Sequence, residues 1–74
     1  MNIKSFFIAG VPVNGRGETV RADYLPGFNG DVCVIGCFVG DDDMSVDVTH
    51  MISDESFRSI RAEIIAARLA GGAE

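Results

Sequence analysis

The chain has 74 residues, of which 47% are hydrophobic and 23% charged, and its formal net charge is −5. This composition is that of a globular protein and excludes an intrinsically disordered chain. Direct binding of nucleic acid is disfavoured, because clustered Lys and Arg are what hold a phosphate backbone. We expect a single domain over residues 1–74 whose acidic surface either meets a basic partner protein or only keeps the domain in solution.

The first third of the chain predicts a β-hairpin. Ile3 to Val13 is rich in β-branched and aromatic residues, and Asn14-Gly15 favours a two-residue hairpin turn. A second strand is predicted from about Glu18 to Leu25. Its apolar residues alternate with polar ones, which indicates one buried face made of Val20, Ala22 and Tyr24.

Two further strands are predicted in the middle of the chain. In Val32 to Val39 the residues that would face either side of the sheet are apolar, which is typical of a central strand. Gly36 indicates a bulge or a close helix crossing within it. Cys33 and Cys37 are four residues apart, so their side chains would lie on the same face of this strand. At that spacing they are too far apart to form a disulfide, and we predict that both are buried, reduced thiols. The fourth strand, Met44 to Ile52, alternates, with one face formed by Met44, Val46, Val48, His50 and Ile52.

A C-terminal helix is predicted from about Asp54 to Ala70. Ser53 is a favoured N-cap, acidic residues follow in the first turn, and Gly71-Gly72 ends the helix. The predicted fold is therefore α+β: a four-stranded, mainly antiparallel sheet in chain-order hairpins with one helix packed on a face. The helical stripe expected against the sheet consists of Phe57, Ile60, Ile64 and Ala67.

The same helix carries a second apolar arc that includes Ile65 and Leu69. One small sheet leaves this arc without a partner, so we predict a dimer or target contact there, with partial exposure of the side chains as the alternative. The remaining sector holds Arg58, Arg61 and Arg68. These arginines either bind an anionic ligand or a partner's carboxylates, or form a solvated face on which Arg61 makes a local pair with an Asp or Glu.

Asp41, Asp42 and Asp43 lie between the third and fourth strands. Adjacent carboxylates repel one another and need solvent, a cation or a basic partner. The segment starting at Asp41 does not match a calcium-binding EF-hand loop, because Val46 and Ile52 occupy the positions where that loop requires Gly and Glu. We predict that the three aspartates, with Asp47, bind a basic protein surface. A solvated turn is the alternative.

No catalytic pattern is present. His50 is the only histidine, and both cysteines lie in an apolar strand that disfavours a thiolate. The Asn14 to Gly17 run lacks the spacing of a phosphate-binding P-loop. We therefore predict that the protein is not an enzyme and uses no metal or cofactor. No segment approaches the length of a membrane span, and we expect a cytoplasmic protein.

With Asp41-Asp42-Asp43 on a hairpin and Asp54-Glu55 opening a C-terminal helix, the short acidic chain resembles phage proteins that disable host nucleic-acid enzymes, such as anti-CRISPR proteins and uracil-DNA glycosylase inhibitors. This resemblance implies inhibition by binding in the host cytoplasm, with carboxylates occupying a nucleic-acid groove or blocking a subunit surface. It transfers no role to any single residue. The alternative function is a small structural or assembly subunit that self-associates through its helix.

Overall fold

The computed structural model of the chain describes residues 2–40 and 43–71. Four strands form one sheet in the order β1-β2-β3-β4, each antiparallel to its neighbour, and helix α1 packs against that sheet. The predicted α+β fold with chain-order hairpins is confirmed. The elements are β1 Lys4–Val13, β2 Arg16–Pro26, β3 Val32–Val39, β4 Val46–Asp47 and α1 Asp54–Leu69.

The β1–β2 hairpin follows the sequence prediction. Asn14 and Gly15 both have positive φ, at 51° and 79°, which is the geometry of a two-residue hairpin turn. Three alternating side chains of β2 face the helix and are completely buried: Val20, Ala22 and Tyr24. The tight turn and the alternation fix the register from Val13↔Arg16 onward.

A bulge divides β1 into two halves. Ile8 pairs with Val20, whereas the next pair is Val11 with Glu18, so Ala9 and Gly10 together stand opposite a single residue of β2. Gly10 has a φ of 73°, a conformation that side chains rarely adopt. The extra residue inverts the side-chain parity, which explains why Ile8 and Val11 both reach the core.

A second bulge lies in β3, as Gly36 predicted. Asp23 pairs with Gly36 and Tyr24 with Val34, which leaves Ile35 as the extra residue. The prediction that both cysteines lie buried on one face was wrong, because this bulge changes the parity between them. Cys37 is fully buried, whereas Cys33 is exposed, and both thiols are free.

The predicted fourth strand was too long. Only Val46 and Asp47 form β4, and the chain then turns through a short 3-10 helix, Thr49–Met51. Asp47 accepts a hydrogen bond from the Thr49 backbone N–H at 2.9 Å, a local contact that competes with an extended strand. Of the five side chains expected on one face, only Val48 and Ile52 are buried.

Helix α1 begins and ends where the sequence indicates. The Ser53 hydroxyl oxygen accepts a hydrogen bond from the Ser56 N–H at 3.1 Å, and Gly71 follows the C-cap with a φ of 77°. Ile60 and Ile64 are almost fully buried, so the predicted stripe does face the sheet. The core between sheet and helix consists of Ile8, Val11, Val13, Val20, Ala22, Tyr24, Val32, Cys37, Val48, Ile52, Ile60 and Ile64.

Candidate functional site

The acidic hairpin tip is only partly described by the structure. Asp41 and Asp42 lie outside the described residues, and the binding role assigned to them stays a prediction. Asp43 is exposed. On the other side, Gly40 has a φ of 111°, and a Cβ placed on it would lie 2.6 Å from the Met44 carbonyl oxygen. Glycine is therefore required where the chain leaves β3.

Asp47 lies on β4 opposite Phe38, with its carboxylate exposed to solvent. Hydrogen bonds from the Thr49 side chain and backbone, assisted by the charge of nearby His50, hold the pKa of Asp47 below its usual value. The carboxylate therefore stays ionised to a lower pH than that of an ordinary aspartate. Asp47 stabilises a local turn and also presents its charge to the surroundings.

The predicted apolar arc of the helix is divided by the fold. Ile65 is half-buried and packs against the core, whereas Leu69 is 79% exposed. Sequence reasoning missed a second exposed apolar side chain, Phe28, which is 92% exposed in the β2–β3 loop. Its setting among Pro, Gly and Asn was the available signal, because such turn residues keep the chain at the surface. The predicted contact role of Ile65 and Leu69 stays a prediction.

The helix arginines differ in their contacts. Arg61 donates from Nε to the Val32 carbonyl oxygen at 3.3 Å and also forms an ion pair with Asp31. Asp31 in turn accepts the Val32 N–H at 2.8 Å, so the loop before β3 is fixed to the helix. The expected pairing of Arg61 is thus found with an acidic residue of the loop before β3, and not with a local one on the helix as predicted. Arg68 lies over the Tyr24 ring at 5.9 Å, and Arg58 is exposed.

A groove separates the helix from the first half of β3. Because β4 pairs only with Phe38 and Val39, the stretch from Val32 to Ile35 borders this open space. The groove has a volume of about 430 Å³, and the exposed Cys33 stands on its wall. It is lined by Asp31, Val32, Cys33, Val34, Phe57, Arg58 and Arg61.

A second groove, of about 310 Å³, lies on the opposite side of the helix, beside the edge strand β1. Exposed Glu55 and Glu63 stand on its rim and form no ion pair with any residue that the structure describes. Sequence reasoning did not find this groove. Its lining consists of Ile8, Ala9, Gly10, Val11, Pro12, Glu55, Ser56, Ser59, Ile60 and Glu63.

The sheet face opposite the helix is mixed in character. Phe7, Arg21 and Phe38 follow one another across three neighbouring strands, and the Arg21 guanidinium lies 4.8 Å from the centre of the Phe38 ring. Arg21 Nε also donates to Asp23 at 3.2 Å, and the Ser5 hydroxyl donates to the same carboxylate oxygen at 2.8 Å. The cation on this face is thus neutralised within the sheet.

The titratable groups offer little reactivity. Burial, reinforced by the charges of Asp23 and Asp47, raises the pKa of the Cys37 thiol from 9.0 to about 11. Such a thiol is protonated and non-nucleophilic at neutral pH. Within residues 2–40 and 43–71, no group of three or more His, Cys, Asp or Glu is placed to hold a metal ion. In the same ranges, no helix has the length and apolarity needed to cross a bilayer.

No protein-family model, no curated protein and no solved structure matches this chain. What supports a function is therefore the set of surfaces just described: an acidic connection between β3 and β4, exposed apolar side chains that include Phe28 and Leu69, and a groove on each side of α1.

Proposed function

We propose that this protein is a non-enzymatic inhibitor, encoded by a phage, that binds and blocks a host nucleic-acid-handling complex in the host cytoplasm. The observation that carries the proposal is the charge of the β3–β4 connection. Asp41, Asp42, Asp43 and Asp47 fall within seven residues, and no Lys or Arg occurs between Arg21 and Arg58. His50 is the one residue of that stretch that can carry a positive charge, so most of these carboxylates lack a cation from nearby in the sequence, and a basic partner would supply one.

Binding of this kind needs no chemistry at the inhibitor. Proteins that hold DNA or RNA present Lys and Arg in a groove, and carboxylates can occupy the positions of the phosphates. The ionised Asp47 and exposed Asp43 supply such charges beside the connection. Apolar contact by a side chain such as the exposed Leu69 would add affinity once the surfaces meet.

Affinity purification from host lysate, followed by mass spectrometry, would identify the target and allow its binding kinetics to be measured. The test variant combines Asp41→Asn, Asp42→Asn and Asp43→Asn. Because charge pairs mainly accelerate encounter, we expect a lower association rate, a weaker salt dependence and a smaller change in dissociation.

A control of equal net charge combines Glu18→Gln, Asp54→Asn and Glu74→Gln, all outside the β3–β4 connection. We expect it to change the association rate much less than the test variant does. Binding of the test variant as tight as that of the wild type at low salt would overturn the proposal. An equal effect of both variants would attribute the result to net charge and would overturn it as well.

A second candidate function is a self-associating assembly subunit, favoured by the exposure of Phe28 and Leu69. Changing both to Ser avoids Ile65, which packs on the core. If these side chains form an interface, each should cost about 1–3 kcal/mol of association free energy, and the solution mass should fall to that of the monomer. An unaltered mass would contradict this function.

A further inference from the structure

Strand β1 forms one edge of the sheet, because the strand order places only β2 beside it. Its outward backbone N–H and C=O groups have no strand partner within the described residues. Edge strands are usually shielded by charge, proline or a bulge. In β1 these protecting features flank the Ser5 to Ile8 stretch: Lys4 precedes it, and the bulge at Ala9 and Pro12 follow it. The stretch from Ser5 to Ile8 is left able to pair with another strand.

Helix α1 forms the groove with the second half of β1, Ile8 to Pro12, which continues the same edge beyond the Ser5 to Ile8 stretch. The floor of the groove lies over the almost fully buried side chains of Ile8, Val11 and Ile60, and its exposed surface is polar as well as apolar. Along the helix, Ser56 and Ser59 are small and leave room above this floor. An edge strand beside a helix, with a groove between them, is the arrangement that accepts an extended peptide by strand addition.

The rim of the groove is acidic. Glu55 and Glu63 are exposed and unneutralised within the described part of the chain. Their positions differ by eight residues, which corresponds to a rise of about 12 Å along the helix axis. In an extended strand, side chains four residues apart point to the same side at a separation of about 13 Å. Two cationic side chains at positions i and i+4 of an added strand therefore match the two glutamates.

We propose that an extended basic segment of a partner protein pairs with β1 from Ser5 to Ile8 as a fifth strand and continues into the groove between α1 and the second half of β1. Two Lys or Arg side chains of that segment, four residues apart, pair with Glu55 and Glu63. This site deepens the proposed function and rests on it in one respect, that the partner is a basic protein. It is separate from the β3–β4 connection and makes its own contacts.

A second copy of this chain is a poorer occupant. If β1 of one copy paired with β1 of another, Glu55 and Glu63 of both copies would lie along the same interface. The groove lining contains no Lys or Arg to neutralise these four carboxylates. Like charges held together in this way oppose association. A basic strand removes the same repulsion, which is why charge complementarity selects a foreign segment.

The probe is a synthetic nonapeptide, acetylated and amidated, in which valine alternates with threonine and lysine occupies the third and seventh positions. Isothermal titration calorimetry at low salt should show saturable binding. Exposed ion pairs contribute modestly, so the variant Glu55→Gln with Glu63→Gln should bind about fivefold more weakly. A control that removes two charges outside both proposed binding sites, Glu18→Gln with Asp54→Asn, should leave the dissociation constant within about twofold of the wild-type value.

Strand addition itself has a separate readout. Only alternate amides of an added strand face the sheet, so methylating one set of the peptide's amide nitrogens should abolish binding and methylating the other set should not. Hydrogen exchange should slow at amides between Lys4 and Ile8 when the peptide binds.

Three outcomes would overturn the inference: no binding at about 1 mM peptide, equal loss from both methylated sets, or unchanged exchange in β1. The peptide probe does not need the natural target. Its failure would therefore leave the Asp41 to Asp43 proposal standing, and failure of the Asp41 to Asp43 test would leave the peptide result unaffected.

Discussion

The Thr49 hydroxyl stands beside Cys37 in the place of a strand partner. Its oxygen accepts a hydrogen bond from the Cys37 N–H at 3.0 Å and lies 3.4 Å from the Cys37 carbonyl oxygen. The Val48 N–H donates to that same carbonyl oxygen at 2.9 Å. One side chain thus continues the hydrogen bonding of β3 at the point where β4 has ended.

Replacing this hydroxyl should destabilise the protein. Thr49→Val keeps the shape but leaves the Cys37 N–H without a partner in a poorly hydrated position. We expect the free energy of unfolding to fall by about 1–2 kcal/mol. Thr49→Ser keeps the hydroxyl and should lose much less. Urea denaturation of both variants checks the prediction, and equal stability of the Val and Ser variants would contradict it.

The Arg61 contacts should matter more to stability than the charge of Arg58. Arg61→Ala removes the ion pair with Asp31 and the hydrogen bond to Val32, and both charged side chains of the pair are about half exposed. We expect a loss of about 1 kcal/mol after allowing for solvent screening. Arg58→Ala, a matched control three residues away on the same helix, should change stability by less than about 0.5 kcal/mol. A reversed order in thermal unfolding would refute the structural role of Arg61.

The two thiols should react at very different rates. Cys33 is exposed, whereas Cys37 is fully buried. We expect a thiol reagent to modify one cysteine of the native protein rapidly and the other only on unfolding. Cys33→Ser should remove the rapid phase completely. Rapid modification that persists in this variant would show that Cys37 is accessible.

Burial of Cys37 also predicts a loss of stability in alkali. The thiol of the unfolded chain loses its proton near pH 9.0, whereas the folded protein holds it until the pKa of about 11. Between these values the folded state binds more protons, so stability falls as pH rises. Cys37→Ala should flatten this part of the curve, and the difference between the two proteins separates Cys37 from the other groups that titrate there. Parallel curves from pH 8 to 11 would contradict the prediction.

Tyr24 should tolerate loss of its hydroxyl. Its side chain is completely buried, and the hydroxyl has no hydrogen-bond partner among the described residues. A buried polar group without a partner opposes folding. We expect Tyr24→Phe to raise the free energy of unfolding by up to about 1 kcal/mol, measured by denaturant titration. Destabilisation of the Phe variant would mean that the hydroxyl is satisfied in solution.

Local signals explain what the sequence predicted of the fold. Asn14-Gly15 defines a turn within two residues, and Ser53 caps a helix whose apolar period is complete, so hairpin and helix needed no tertiary information. The bulges at Ala9 and Ile35 depend on how one strand pairs with its neighbour. Alternation of side chains along a strand therefore correctly placed Tyr24 in the core, but it put Cys33 on the wrong face because the bulge at Ile35 lies between Cys33 and Cys37.

The candidate sites divide in the same way. The charges of Asp43 and Asp47 were visible in the sequence because they stand close together in the chain. The groove beside β1 was not, since it needs the sheet order and the position of α1 to bring Glu55 and Glu63 next to Pro12. Phe28 was missed because apolar residues were sought only in strands and on the helix.

Charge is divided across α1: Glu55 and Glu63 border the β1 side, whereas Arg58 and Arg61 border the β3 side. On the β3 side, Asp31 offsets the charge of Arg61, so Arg58 supplies the remaining cation there. The difference in charge between the two grooves is therefore local, and ions screen it beyond about 8 Å at physiological salt. A cationic group is favoured at the β1 groove and an anionic group at the β3 groove only once it is close to the helix. The helix sequence thus sorts ligands by charge at short range.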